Sequence, residues 1–276
     1  MKLGVITDCF KVGLDKAVSS ALSLGSKGVQ IYAVDDGFSA ENVKQIVGEK
    51  LTVSALCGDL GGHGFEIEKD NPLKIEKTKK IIDTASDLGV GVVTTHIGVI
   101  PSNPIESRYN VMLLALQTLG EYAYDKGVTL AIETGPENAE VLYGFLKKIP
   151  RGVGVNLDPA NFVMVTGQDP VDAVYKLRDY IVHTHLKDGK MLKKTDPVII
   201  YNHFAEGGIE ALNISDFFIE TPVGKGDVDF AKYLKALNDI GYKGFLTVER
   251  ETGENPMQDI ADAFDYIKNN FGEYLD

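Results

Sequence analysis

Four β-rich runs in the second half of the chain finish on ionisable side chains: Thr129-Leu-Ala-Ile-Glu133, Gly154-Val-Asn-Leu-Asp158, His183-Thr-His-Leu-Lys187 and Phe245-Leu-Thr-Val-Glu249. Side chains alternate along a strand. Glu133 therefore shares a face with Thr129 and Ala131, Asp158 with Gly154 and Asn156, and Glu249 with Phe245 and Thr247, while His183, His185 and Lys187 share one. Gathering two glutamates, an aspartate and a histidine at one end of a sheet is costly unless a cation or a proton compensates. A single divalent ion does so most simply. Three carboxylates and an imidazole suit Mn²⁺, Co²⁺, Mg²⁺ or Zn²⁺ rather than a thiolate-loving ion, and such an ion keeps positions open for substrate oxygens. For any one of these residues taken alone, pairing with Arg, Lys or a backbone amide is an equal alternative.

The elements that must position them read as strands alternating with helices. Strands are expected at Leu3–Asp8, Gly28–Tyr32, Leu51–Cys57, Gly91–Ile97, Val128–Thr134, Val153–Asp158, Tyr180–Lys187 and Gly244–Arg250. Helical stretches lie between them, around Leu14–Leu24, Ala40–Glu49, Pro72–Leu88, Ile105–Lys126, Ala139–Lys148, Pro170–Leu177, Asp229–Ile240 and Pro256–Phe271. In the third, Ile75, Ile81, Ile82, Ala85 and Leu88 recur at helical spacing. Several helices close on a glycine, as in Leu88-Gly89 and Ile240-Gly241. Such alternation demands a parallel sheet. Eight units in 276 residues fit one α/β domain over 1–276, a (β/α)₈ TIM barrel with its active site at the C-terminal ends of the strands. No Gly-x-Gly-x-x-Gly follows the first strand, which weakens a dinucleotide fold.

One connection breaks the rhythm. Residues 188–228, after the seventh strand, form an extended segment rich in Ile, Tyr and Phe. A loop that long acts as a lid, carries elements of its own, or packs on a neighbouring subunit. Within it, Gly224-Lys-Gly-Asp227 either holds a phosphate through its amides or is a turn, with Asp227 or Asp229 capping the next helix.

Composition narrows the partners. A net charge of −12, from 40 acids and 28 bases, disfavours nucleic acid and anionic membrane surfaces. Cys9 and Cys57 are too few for a disulfide framework. The start, MKLGVITDCF, turns polar too soon for a signal peptide, and no apolar run approaches a membrane span. A cytoplasmic protein acting on a small molecule is expected, with a homo-oligomer left open.

The runs Ala131-Ile-Glu-Thr, Asn156-Leu-Asp-Pro-Ala-Asn161, His183-Thr-His-Leu-Lys-Asp188 and Leu246-Thr-Val-Glu-Arg resemble the xylose-isomerase-like sugar isomerase and epimerase superfamily over nearly the whole chain. That group includes ketose 3-epimerases, hydroxypyruvate isomerase, inosose dehydratase and, more remotely, apurinic endonucleases. The resemblance implies Glu133, Asp158, His185 and Glu249 as metal ligands, with Glu133 and Glu249 doubling as the acid–base pair. It selects His185, which precedes the Leu-Lys-Asp tail, and leaves His183 as an interior residue bonded to a carboxylate. His96 resembles the family's substrate-side histidine, with a capping or core role as the alternative; Asn161 and Lys187 are expected to bind substrate, and His63, in the Gly61-Gly-His-Gly loop, either reaches the substrate or is simply exposed. Asn161 departs from the pattern, since many 3-epimerases have a histidine there. Glu251 and Glu254 read as surface acids. The expected reaction on a sugar or sugar phosphate is proton abstraction beside a carbonyl, through an enediolate that the ion would stabilise. A lyase or dehydratase on a keto-cyclitol or 3-keto-glycoside is the nearest alternative, and an endonuclease-type phosphodiesterase the remote one.

Overall fold

The computed structural model describes residues 1–34, 38–208 and 212–276, so residues 209–211 of the extended segment lie outside the described residues. Eight parallel strands close into a barrel: β1 (Lys2–Ile6), β2 (Gly28–Tyr32), β3 (Thr52–Cys57), β4 (Val92–Thr95), β5 (Thr129–Glu133), β6 (Val153–Leu157), β7 (Ile181–Leu186) and β10 (Phe245–Val248). Outward side chains such as Val29, Leu130, Val155 and Leu246 are fully buried. They pack under the helices α1 (Leu14–Ser23), α2 (Ala40–Val47), α3 (Asn71–Leu88), α4 (Ser107–Asp125), α5 (Ala139–Leu146), α7 (Pro170–Leu177), α9 (Phe230–Asp239) and α10 (Pro256–Phe271), while α6 is a short turn at Pro159–Asn161. Burying that apolar layer drives the fold. The glycine stops behave as expected: Gly89 ends α3 at φ 70°, a left-handed conformation that costs glycine little. No helix among the described residues is long and apolar enough to cross a membrane.

Register sets the level of the inward residues. Glu133 lies beside Asn156, Asn156 beside His183, and His185 beside Thr247. The stagger that closes a barrel thereby lifts Glu133, Asp158, His185 and Glu249 to one rim. Three site residues expected inside strands lie just outside them. Asp158, Lys187 and Glu249 lie one residue beyond the strand ends at Leu157, Leu186 and Val248. Asp158 leaves the ladder because its carboxylate caps α6, accepting from the Ala160 and Asn161 amides at 2.8 and 3.1 Å.

The described residues of 188–228 carry elements of their own. β8 (Asp188–Met191) pairs antiparallel with β9 (Phe218–Thr221), and α8 (Pro197–Ala205) lies between them in sequence. The Gly224–Asp227 loop is a turn rather than a phosphate cradle. Its amide hydrogens are already committed: Lys225 and Asp227 donate to the Pro222 and Gly189 carbonyls, and the Asp188 carboxylate accepts from Gly224, Gly226, Val228 and Gly189 at 2.8–3.2 Å. Asp229 then caps α9 through the Lys232 amide. One buried carboxylate thus ties both ends of the excursion to the end of β7.

Candidate metal centre

Polar side chains fill the middle of the barrel interior, and nearly every donor is matched. The His183 Nδ1–H donates to Asn156 Oδ1 at 2.9 Å, and its Nε2 accepts from the Thr247 hydroxyl at 3.1 Å. Burial, with the charge of His185 beside it, holds the His183 pKa well below the usual imidazole range. His183 is therefore a neutral interior residue. Its partners are an amide and a hydroxyl instead of the expected carboxylate, because its strand position faces β6 and β10. Gln30 on β2 donates to Thr94 Oγ1 at 3.1 Å and places its Oε1 3.2 Å from His185 Nε2. The Asn156 amide nitrogen also lies 3.2 Å from Nε2, so Gln30 and Asn156 together hold that edge of the ring and Nδ1 faces the rim.

There the carboxylates converge. From His185 Nδ1, Glu249 Oε2 is 3.2 Å away, Asp158 Oδ2 3.4 Å and Glu133 Oε1 3.7 Å. All four residues are buried, and one ligand atom from each lies within 4.8 Å of the others. That spacing is about twice a metal–oxygen or metal–nitrogen bond of roughly 2.0–2.6 Å. Three carboxylates against one imidazole leave an excess of buried negative charge that a divalent cation would cancel. The donor set and its spacing fit such an ion.

The remaining bonds orient these groups. Asn156 donates to Glu133 Oε2 at 3.2 Å, and Asn161 donates to the Thr134 carbonyl and to Glu133 Oε1 at 3.1 and 3.4 Å. The Lys187 ammonium lies 2.8 Å from Glu249 Oε2 and also contacts Glu251. Glu251, read from sequence as an ordinary surface acid, is exposed but borders the cavity and holds Lys187. Glu254 is exposed.

His96 donates through Nδ1 to Asp59 Oδ2 at 2.9 Å, and its Nε2 stands 3.6 Å from Glu133 Oε1. Burial opposes its charge, but Glu133 and Asp59 overcome that and raise its pKa to about 10. The two glutamates differ. Burial lifts Glu133 to about 7, whereas at Glu249 burial is outweighed by Lys187 and His185, which hold it well below the carboxylate range. Without an ion in place, burial thus favours the protonated form of Glu133, and neighbouring positive charge the ionised form of Glu249.

A cavity of about 650 Å³ opens above the cluster, bordered by His96, Asn161 and Lys187. His63 does not border it; the ring faces Glu206 at the end of α8, at 3.8 Å. Sequence reasoning missed Gln30, Asp59, Tyr201 and Glu137. Gln30 was visible as a polar residue on the inward face of an apolar strand, and Asp59 as an acid just past a strand end. Tyr201 arrives from α8 over Gly135, where a Cβ would collide with its hydroxyl.

Glu137 follows β5 and is buried; neither carboxylate oxygen has a side-chain hydrogen-bond partner, and only the Ile100 amide and its own backbone amide partly offset the burial. Burial raises its pKa from 4.5 to about 8. A folded value above the unfolded one means that the native state holds a proton the unfolded chain releases. Stability therefore falls as pH rises from about 4.5 to about 8. Glu137→Gln is expected to stabilise the protein by roughly 1–3 kcal/mol at pH 8 and by little at pH 4.5. Denaturant titrations at the two pH values check this; parallel pH dependence in both proteins would refute it.

The family described as xylose isomerase-like TIM barrel matches residues 18–270. An inosose dehydratase of Geobacillus thermodenitrificans is 26% identical over 175 residues, covering 60% of this chain and 56% of that protein. The chain thus spans little more than half the length of such relatives. The crystal structure of a xylose isomerase domain protein from Planctomyces limnophilus superposes with TM-score 0.79 at 25% identity, covering 97% of this chain and 95% of that one. The structure of an IolI protein with a bound zinc atom superposes with TM-score 0.74 at 19% identity, over 100% and 98% of the two chains, a likeness of fold.

Proposed function

The chain belongs to the xylose isomerase-like TIM barrel family, and from that premise we propose that it is a divalent-metal-dependent isomerase or epimerase of a sugar or a related hydroxy-ketone. The observation that carries this reading is the convergence of Glu133, Asp158, His185 and Glu249, of which Glu133 and Glu249 line one cavity. A divalent ion held by these four would act as a Lewis acid, making the hydrogen beside a carbonyl acidic enough for a carboxylate to remove. The IolI protein of the same fold is described with zinc, which supports an ion here without fixing its identity.

The protein's own groups do the rest. Glu133 and Glu249 stand on β5 and at the end of β10, the two ends of a four-strand arc. A substrate between them would offer one a hydrogen on one side and receive a proton from the other. Glu133, its Oε1 3.6 Å from His96 Nε2 at the cavity wall, is placed to exchange a proton with the substrate. His96, charged and fixed by Asp59, presents an N–H to oxygen atoms that gain negative charge. Asn161 and Asn156 keep Glu133 in place.

A metal-supplemented preparation incubated with a panel of ketoses in D₂O is expected to place deuterium on the carbon beside the carbonyl, in recovered substrate and in product. Product free of deuterium after full conversion would argue for a hydride shift instead. The inosose dehydratase relative favours a second reading, in which the same proton abstraction is followed by loss of a β-substituent. NMR of the products from ketoses and keto-cyclitols separates an isomer from a dehydrated ketone.

A further inference from the structure

The cavity above the cluster is too large, and its far side too apolar, for a free monosaccharide. Its volume of about 650 Å³ would hold on the order of twenty waters at their liquid volume of about 30 Å³ each. A hexose, with about twelve non-hydrogen atoms that each need less room than a whole water, leaves roughly half of that space unfilled. The floor is polar. The opposite wall is Met164 together with Ile200, Phe204, Ile214, Phe218 and Ile219, and all but Met164 belong to the 188–228 segment. Phe204 is 58% exposed and Ile219 39% exposed although both line this cavity. Apolar side chains left in contact with solvent inside a binding cavity mark a surface completed by a ligand.

Charge limits what that ligand carries. Among the described residues, Lys187 is the only lysine or arginine lining the cavity, and its ammonium lies between Glu249 and Glu251. The imidazole of His96 is paired with Asp59 and faces Glu133. Arg250, just outside, is committed to Glu220 and Asp259. Glu220 and Glu251 also border the cavity. A phosphate or carboxylate placed against the far wall would meet carboxylates, with no unpaired lysine or arginine among the described lining residues, and the Gly224–Asp227 amides are taken by Asp188 and by backbone carbonyls.

We propose that the substrate is an uncharged sugar or cyclitol bearing an apolar substituent, its polar end at the Glu133–Glu249 cluster and its substituent packed beneath the 188–228 segment. This rests on the cluster being the reaction centre, as argued above, and names the substrate class of that site. The segment then acts as the specificity element, and Phe204 and Ile219 as its principal contacts.

Calorimetric titration of the full-length, metal-supplemented protein with methyl and phenyl glycosides of glucose, galactose and xylose tests it. At least one phenyl glycoside is expected to bind about tenfold or more tightly than its methyl counterpart. That advantage should shrink to about threefold or less in Phe204→Ser and in Ile219→Ser, whose partly exposed side chains are not needed for folding. Fructose 6-phosphate should bind no better than fructose. Equal affinity across every phenyl and methyl pair, including no binding of either, would overturn the proposal. So would a phenyl preference that survives in both variants, or tighter binding of the phosphate ester. The reaction fails separately: phenyl preference without deuterium exchange in any ketose, phenyl 3-keto-glycosides included, would refute the isomerase reading and leave the substrate class standing, and exchange without phenyl preference would do the reverse.

Discussion

Removing divalent ions with a chelator is expected to abolish turnover and to lower the melting temperature by roughly 5–10 °C. The size of the thermal effect follows from linkage. An ion bound only by the native state stabilises it by about 2.7 kcal/mol at a hundredfold excess over its Kd, and in a chain of this length each kcal/mol moves the midpoint by about 2–4 °C. Without the ion, Glu133, Asp158 and Glu249 face one imidazole, and protons on His185 and on Glu133 compensate within the cluster. Burial opposes that proton, but Glu249, Glu133 and Asp158 outweigh it and hold the His185 pKa well above its ordinary value. A folded value above the unfolded one gives the metal-free protein stability that is present in full below about pH 6.5 and lost as pH rises through the folded value. Metal binding runs the other way, since the ion needs the unprotonated ring and competes with that proton as pH falls. The gap between loaded and stripped protein should therefore widen from pH 5 to pH 9. Melting curves with elemental analysis at each pH measure it. Full turnover by protein shown to be metal-free would sink the centre.

The barrel was legible from the sequence because its signals are local. Period-two runs such as Thr129–Glu133 and glycine stops such as Gly89 need only a few neighbouring residues to be read. The cluster was legible for the same reason, since four strand ends with a common inward face must meet once the barrel closes. What stayed hidden depends on partners far apart in the chain. His96 was named, yet its Asp59 partner lies on the neighbouring strand's loop, and the two meet only through the β3–β4 pairing. Gln30 sits 155 residues from the histidine it orients. Asp188 reads as the tail of a motif until its carboxylate is seen gathering amides from Gly224 to Val228. Glu251 looks superficial by exposure, and only the placement of Lys187 gives it a role. The apolar residues of 188–228 suggested either a lid or a subunit contact. In the structure Ile200, Phe204 and Ile219 line the cavity, an orientation that composition cannot supply.

Glu133→Gln and Glu249→Gln should each reduce turnover by roughly 10²–10⁴-fold while retaining most of the bound metal. The amide keeps an oxygen in the ligand position but cannot accept a proton. Loss of metal would otherwise mimic loss of a base, so metal content has to be measured in each variant. The two changes are not equivalent electrostatically. Glu249→Gln removes one of the two carboxylates that hold Lys187, leaving Glu251 as its partner. Glu133→Gln removes the carboxylate beside His96 but leaves Asp59. Neither substitution strands a buried cation without a counter-charge, so a large loss of activity is not expected from misfolding, and a thermal melt verifies this. Glu254→Gln, at an exposed position, is the appropriate control and should change little. Glu251→Gln is not suitable, because it loosens Lys187. Exchange in D₂O then separates the roles of the pair. The variant lacking the first base should show no deuterium uptake from solvent, while the variant lacking the second should still exchange substrate hydrogen without forming product. If both variants and the control turned over alike, the acid–base pair would have to be sought elsewhere on the cavity wall. If both lost turnover and exchange together, each glutamate would be required before the proton moves, and the two-base sequence would give way to a single base held in place by the other carboxylate.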